Sequence, residues 1–432
     1  MLIATLLLAA STWWTAYGDP ELNALVEKVI ARNIDLQTAA QRIAEARAVS
    51  GESRSKLLPT VKATASAQTL RGGFAQGIAR IPQGGNAGGS FVAPFETAIL
   101  QGGMDMKWEL DLFGGNRAGR AAALADVSAR EQSREDLAIT VAAEAARYYV
   151  ELRGVEERLA ITRRNLTAQK DLLALTEDRT RAGLASQLDV ERQMTLLSIT
   201  EATVPPLEAE REAHLHRLAV LVDDQAYRPG DRQNLTAPSV EGTFPGELLQ
   251  RRPDVREAEA RLTAALARLK QARTDRYPKI TLNGLLGRQG TSFSTLSFGG
   301  GNFFNLGPQV QLPLFNGGRI ESNIAANDAR VEQERLAYRK EILSAFEESA
   351  NALSAARRQQ EREGKLAAAL GSARRSLELA ADLQKAGLSD FLTVLDAERV
   401  ALDAEYQTAA ARTLYLVETV ALYKALAGGW PQ

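Results

Sequence analysis

Few residues in this chain are equipped for covalent or acid–base chemistry. It has two histidines and no cysteine, which excludes thiol nucleophiles, disulfides and cysteine-ligated metal sites. His214 and His216 lie in a stretch of helix-forming composition. Positions two apart on a helix stand about 200° apart around its axis, whereas a ligand pair wants i, i+4 spacing on one side. They read as ordinary polar positions, and no metal or cofactor is expected. Glycine runs occur at Gly299–Gly301 and in the GGNR and NGGR segments ending at Arg117 and Arg319. A phosphate cradle would close with Gly-Lys-Ser/Thr ahead of a helix. These runs do not, so they read as a loop tip and as strand-to-helix bends. No Ser-His-Asp set or carboxylate pair stands apart from the many helical charges of a solvated face. The chain is not expected to be an enzyme.

The bulk properties narrow the field further. Lys plus Arg (52) balance Asp plus Glu (53) over 432 residues, so no overall field draws the protein to nucleic acid. Mean hydropathy is −0.21 and no run reaches 18 apolar residues, which excludes a bundle of membrane helices but not a β-barrel, whose alternating strands barely register on hydropathy. Residues Leu2–Ala10 form a short apolar run with no Lys or Arg before it, a poor export signal.

An internal repeat organises the elements that must position any site. NIDL (Asn33–Leu36) answers RPDV (Arg252–Val255), and KLLP ending at Pro59 answers DRYP ending at Pro278, both 219 residues on. ELDLFGGNR answers QLPLFNGGR at an offset of 202, and RAGLASQLDV answers KAGLSDFLTV at 204. The fall in offset places about 17 extra residues of the first copy in a glycine-rich loop between Pro59 and Leu112, where Gly72, Gly73, Gly77, Gly84, Gly85, Gly88 and Gly89 cluster. The expected organisation is an N-terminal segment 1–18, a possible signal remnant; a first repeat 19–228; a linker 229–244; and a second repeat 245–432.

Each copy reads helix, two strands, very long helix, turn, helix. The first helix opens at Asp19-Pro20 and its apolar positions carry it toward Pro59; its partner spans Pro245 to Pro278. No proline occurs from Arg117 to Ala182 or from Arg319 to Trp430. The first of these windows would span on the order of 100 Å as a helix. Such helices need a coiled-coil-like layer, and small faces such as Ala142, Ala143, Ala145 and Ala146 permit close approach. Gly183 and Gly387, followed by N-cap candidates Ser186 and Ser389, reverse the chain. Pro205 and Pro206 should break the returning helix of the first copy only.

Strands are expected near 60–70, 102–113, 279–288 and 304–315. In the second, Met104, Met106, Trp108, Leu110 and Leu112 alternate with Asp105, Lys107, Glu109 and Asp111, placing the charges on one face. Aromatic residues stand at both ends: Phe113 and Phe315 next to the helices, and Phe74, Phe91, Phe95, Phe303 and Phe304 toward the loops. That distribution suits a membrane barrel with two interfacial girdles; alternation alone also suits a small antiparallel sheet resting on helices. Four strands cannot close a barrel, so a membrane role demands oligomers. Two copies supply eight strands; three supply twelve and leave an open lumen. The polar positions Asp105, Lys107, Glu109 and Asp111 would then face the lumen.

Taken together, WWTAYGDPELNALV, ARNIDL, RRPDVREAEARL, WELDLFGGNR, VQLPLFNGGR, VPPLEAER and AGLSDFLTVLDAER resemble the TolC-like outer membrane factors, in the NodT/OprM branch of efflux lipoproteins. The likeness spans nearly the whole chain. It implies a mainly α fold with a transmembrane β-barrel: a homotrimer whose twelve-stranded barrel sits in outer-membrane lipid and continues as a periplasmic α-helical tunnel. It also implies a periplasmic adaptor, or membrane fusion protein, and an inner-membrane pump of the resistance-nodulation-division class as partners. The function implied is passive export of drugs or other small molecules. The turns Gly183-Leu184-Ala185 and Gly387-Leu388-Ser389 match the family's adaptor-contacting tips. Leu392, Asp396 and Arg399, at i, i+4 and i+7 on one helical stripe, match its periplasmic gate. Members of this branch carry a signal peptide and a lipid-bearing cysteine ahead of the tryptophan pair. With no cysteine here, lipid anchoring is not carried over, and missing N-terminal sequence is the expectation. The competing reading is a coiled-coil periplasmic scaffold with a small interaction sheet.

Overall fold

Asp19 starts the first helix as its composition demands. In the computed structural model, which describes residues 12–72, 95–230, 235–238, 251–290, 292 and 301–427, Asp19 is extended and its carboxylate accepts the N–H groups of Glu21 (2.8 Å) and Leu22 (3.4 Å). Helix α1 (Pro20–Arg32) buries Leu22, Leu25, Val26 and Val29. The single helix expected to reach Pro59 is in fact two. Asn33 leaves the helical conformation and its carboxamide oxygen accepts from Asp35 (3.0 Å) and Leu36 (3.2 Å), while its nitrogen donates to the Leu221 carbonyl at 3.3 Å. An asparagine that satisfies the backbone this way ends one helix and caps the next, here α2 (Ile34–Ser55).

The chain continues through β1 (Thr60–Gly72), β2 (Phe95–Leu110), α3 (Gly115–Arg181), α4 (Gln187–Ala202), α5 (Val204–Val222), α6 (Pro253–Thr274), β3 (Lys279–Gly290), β4 (Gly301–Gln311), α7 (Arg319–Lys385) and α8 (Phe391–Ala425). Helices α2 and α6 have 22 residues each, and α3 and α7 have 67 each. Helix α6 starts at Pro253; positions 245–250 of the longer expected helix lie outside the described residues. So does the glycine-rich insertion from 73 onward, Gly72 being the last residue of β1. The proline pair divides α4 from α5 at Thr203, whose N–H falls back on the Thr200 carbonyl at 3.1 Å, and α8 runs through the matching stretch unbroken.

Strands β2 and β4 end earlier than alternation suggested. Leu112 and Leu314 lie past the last ladder residues, because the chain turns into α3 and α7 through Gly114, Gly317 and Gly318, all at positive φ. The four strands form one antiparallel sheet in the order β1-β2-β3-β4.

Two compact units divide the chain, each taking segments from both repeats. One comprises Glu45–Val127 and Ala260–Arg335. It holds the sheet and a small core of Ala265, Leu269, Ala272, Ile320, Ile324 and Val331. The other comprises Met1–Ala44, Ser128–Glu259 and Leu336–Gln432. Its core gathers Trp13, Trp14, Tyr17, the buried side of α1, and Val141 to Leu152 of α3. The described end of the N-terminal segment is therefore core material: Trp13 stacks on Tyr423 with ring centroids 5.3 Å apart, and Tyr17 and Thr419 share a hydrogen bond of 2.7 Å. Among the described residues no helix is long and apolar enough to cross a membrane.

Candidate functional site

The pairing register decides what the sheet can do, because a slip of one residue would exchange its faces. Met104 lies opposite Ala63 and Leu286, and Leu286 opposite Phe304; Met106 lies opposite Val61 and Gly284, and Gly284 opposite Leu306. Trp108, Leu282 and Pro308 form the next row of that face. The opposite face holds Lys62, Asp105, Leu285 and Asn305 in one row and Thr60, Lys107, Asn283 and Gly307 in another. The alternation of four separate segments thus falls into phase across the sheet.

The apolar face is uncovered. Val61, Met104, Leu286, Phe304, Leu306 and Val310 are each more than half exposed, which a sheet resting on helices would not permit. A contiguous bare apolar face of this kind belongs in lipid or against another protein.

At the helix end of the sheet, Phe113 stacks on Tyr277 (4.8 Å between centroids) and the Trp108 indole donates to the Leu57 carbonyl at 3.0 Å, as suits an interfacial girdle. At the other end the two adjacent phenylalanines part: Phe304 joins the apolar face and Phe303 the polar one. Phe303 therefore leaves the expected girdle, since neighbours in a strand point to opposite sides. Phe74 and Phe91 lie outside the described residues.

Asp105, Lys107 and Glu109 belong to the polar face of β2, whereas Asp111 lies one residue past its end. The Asp111 carboxylate accepts the N–H groups of Asn116 (3.1 Å) and Arg117 (2.9 Å) and the Arg117 guanidinium (3.1 Å). It is the cap that aims α3 away from the strand. The second copy has Pro313 at that place and uses the Asn316 carboxamide, which accepts from Ile320 at 3.2 Å.

The two helical turns are built alike. Gly183 and Gly387 have φ of 78° and 70°, and Leu184 and Leu388 close 2.8 and 2.9 Å bonds to the carbonyls of Arg179 and Leu383, the Schellman pattern of a helix end. Both leucines are exposed, at 70% and 77%, while Ala185 and Ser389 are half-buried. The returning helices are capped differently. Ser186 forms a capping box with Asp189, but in the second copy the cap is Asp390 rather than the expected Ser389, its carboxylate accepting the Thr393 N–H at 3.0 Å. An ionised carboxylate is the stronger acceptor of the two at a helix N-terminus.

Leu392, Asp396 and Arg399 form an exposed stripe on α8, with Arg399 donating to Asp396 at 2.8 Å, while Leu395 beside them is buried. The first copy has Leu188, Arg192 and Thr195 at the equivalent positions. The histidines stand apart: His216 is exposed, and His214 lies 3.6 Å from Glu151 and 3.7 Å from Glu210.

Long-range polar contacts that no local pattern announces bind the helices of this unit. Arg158 of α3 reaches Glu210 of α5 (2.8 Å) and Tyr406 of α8 (3.2 Å). Arg164 and Arg374 converge on Glu405 at 3.3 and 3.1 Å. Arg252, of the RRPD segment, is buried; it donates to the Ala425 carbonyl, Asp254 and Glu348 at 2.6–2.7 Å, fixing the start of α6 to the end of α8.

Comparison with known proteins agrees with this architecture. The profile of the family described as outer membrane efflux protein matches residues 25–222 and 244–428. The chain is 33% identical over 430 residues to the pyoverdine export outer membrane protein OpmQ of Pseudomonas aeruginosa, covering 97% of this chain and 87% of that one. It is 31% identical over 428 residues to outer membrane protein OprJ of the same species, covering 97% and 86%. The solved outer-membrane channel OprN superposes with a TM-score of 0.87 at 33% identity, over 97% of this chain and 93% of that one. The chain belongs to the outer membrane efflux protein family, trimeric channels of the outer membrane that serve tripartite export systems.

Proposed function

We propose that three copies close their sheets into a twelve-stranded barrel with Asp105, Lys107 and Glu109 on its lumenal wall, and that small molecules leave the cell through it without chemical change. The observation that carries this reading is the phased sheet: polar residues of four strands share one face, and on the other face the rows from Trp108 to Met104 are apolar and bare. Open edges cannot stand in lipid, so β1 and β4 must find partners in neighbouring copies. Both signs of charge on the polar face favour a water-filled passage with little preference among small solutes.

The exposed turns at Gly183-Leu184-Ala185 and Gly387-Leu388-Ser389 present apolar tips to a periplasmic adaptor, which couples the duct to an inner-membrane pump of the resistance-nodulation-division class. Rings of Leu392, Asp396 and Arg399 narrow the passage at rest. Asp111 serves as the α3 cap and not as a lumenal charge.

Cysteine substitution tests the assignment, helped by the absence of cysteine from these 432 residues. Lys107→Cys is expected to react with a small charged, membrane-impermeant thiol reagent, and Met106→Cys to stay unreactive. Equal labelling of the two would remove the barrel reading.

A further inference from the structure

One row of the polar sheet face differs from the rest: Thr64, Gly103, Gly287 and Phe303 lie side by side. Two adjacent positions have no side chain and the next carries a ring. A Cβ on Gly103 would stand 2.5 Å from the Leu286 carbonyl oxygen and 2.9 Å from the Gly287 Cα. A Cβ on Gly287 would stand 2.5 Å from the Gly102 carbonyl oxygen, 2.9 Å from the Gly103 Cα and 2.6 Å from Cζ of Phe303. The far end of the Phe303 ring therefore occupies the space above Gly287, and Phe303 is half-buried although its strand lies at the sheet edge.

We infer that Gly287 is the seat of the Phe303 ring, and that this glycine keeps the duct wide at a level where the lumenal wall carries an aromatic side chain. The inference rests on the reading that the polar face lines the duct. An aromatic ring lying across a glycine of the neighbouring strand covers backbone that would otherwise be bare. It also hides part of its apolar surface from the water of the lumen. Had β3 carried any larger residue there, the ring would lose this seat, and a ring that rises from the polar face stands in the lumen. In a trimer three rings would rise at one level, whereas seated they leave the passage clear. The flanking rows contain no aromatic residue: Ser66, Gln101, Gln289 and Gly301 on one side, and Lys62, Asp105, Leu285 and Asn305 on the other.

The test uses cells carrying the full-length protein with Lys107→Cys, to which maleimides bearing polyethylene glycol chains of increasing length are added from outside. Lys107 pairs with Asn283, four residues beyond Gly287 toward the helix end of the strand. A reagent entering from the hairpin end must pass Phe303 first, and constriction at the helical turns does not affect the result. Phe303→Ala is expected to leave the largest reactive reagent unchanged, because a seated ring takes little of the lumen. Gly287→Ala should lower that size limit, and Gly287→Ala with Phe303→Ala should restore it. A larger limit in Phe303→Ala would overturn the inference, as would an assembled Gly287→Ala trimer with the limit unchanged. The Gly102 and Gly103 contacts could prevent Gly287→Ala from assembling at all, in which case Phe303→Ala decides by itself. Failure of the smallest maleimide to label Lys107→Cys, with labelling of Met106→Cys, would instead show that the face assignment is wrong.

Discussion

Tyr149 donates its hydroxyl hydrogen to Asp19 at 2.6 Å, across 130 positions of the chain. Asp19 is wholly buried and its other oxygen caps α1; Arg153 in turn donates to the Tyr149 oxygen at 3.2 Å and to the Gly230 carbonyl at 2.7 Å. The start of α1 is thereby tied to the middle of α3. Tyr149→Phe would leave a buried carboxylate oxygen without its donor, at a cost of about 1–3 kcal/mol. The expected outcome is a lower denaturant midpoint for the detergent-solubilised protein with unchanged secondary structure by circular dichroism.

Gly154 of α3 faces Thr413 of α8 so closely that a Cβ there would overlap the threonine side chain, whose hydroxyl is held by the Ala409 carbonyl at 3.0 Å. Overpacking of this kind costs about 1–3 kcal/mol. Gly154→Ala should destabilise the protein in a thermal melt, and adding Thr413→Ala should recover most of the loss. Independent, additive effects would contradict the contact.

Burial and the neighbouring Asp254 push the Asp136 carboxyl up from 3.8 to about 6, with Glu257 adding to the rise and Lys424 and Arg252 opposing it. A raised carboxyl means that the folded state holds its proton more tightly than the unfolded chain does. Stability is then lost as pH rises from about 4 through about 6, and no penalty remains below both values. Discounted for the partial exposure of the group, the penalty at neutral pH is about 1–2 kcal/mol. Asp136→Asn should raise the melting temperature at pH 7.5 and make little difference near pH 4; an equal gain at both would exclude the titration.

The proposed constriction at Leu392 depends on weak bonds. The Asp396–Arg399 pair lies within one helix and both side chains are about two-thirds exposed, so each pair contributes about 0–1 kcal/mol. Replacing both by alanine should raise single-channel conductance in a planar bilayer without altering trimer stability. Conductance equal to that of the parent channel would refute the gate.

Features that depend on a few adjacent residues were legible in the sequence. Gly183 and Gly387 mark turns because few other residues tolerate positive φ, Pro205 and Pro206 break a helix because they lack an N–H, and alternation in β2 separates lipid-type from water-type positions by simple geometry. The repeat declared itself as matching segments, and with them the family. Which face Phe303 joins, by contrast, follows from the pairing of β3 with β4 and not from its aromatic character. Asp111 looked like one more alternating charge until the strand ended at Leu110 and its carboxylate met the N–H groups of α3. Asn33 could have continued one long helix; its contact with Leu221 belongs to the folded chain alone. Tyr149 with Asp19, Gly154 with Thr413 and Arg252 with Ala425 join residues more than a hundred positions apart. Such pairs leave no local periodicity, because their partners become neighbours only after the long helices have packed side by side.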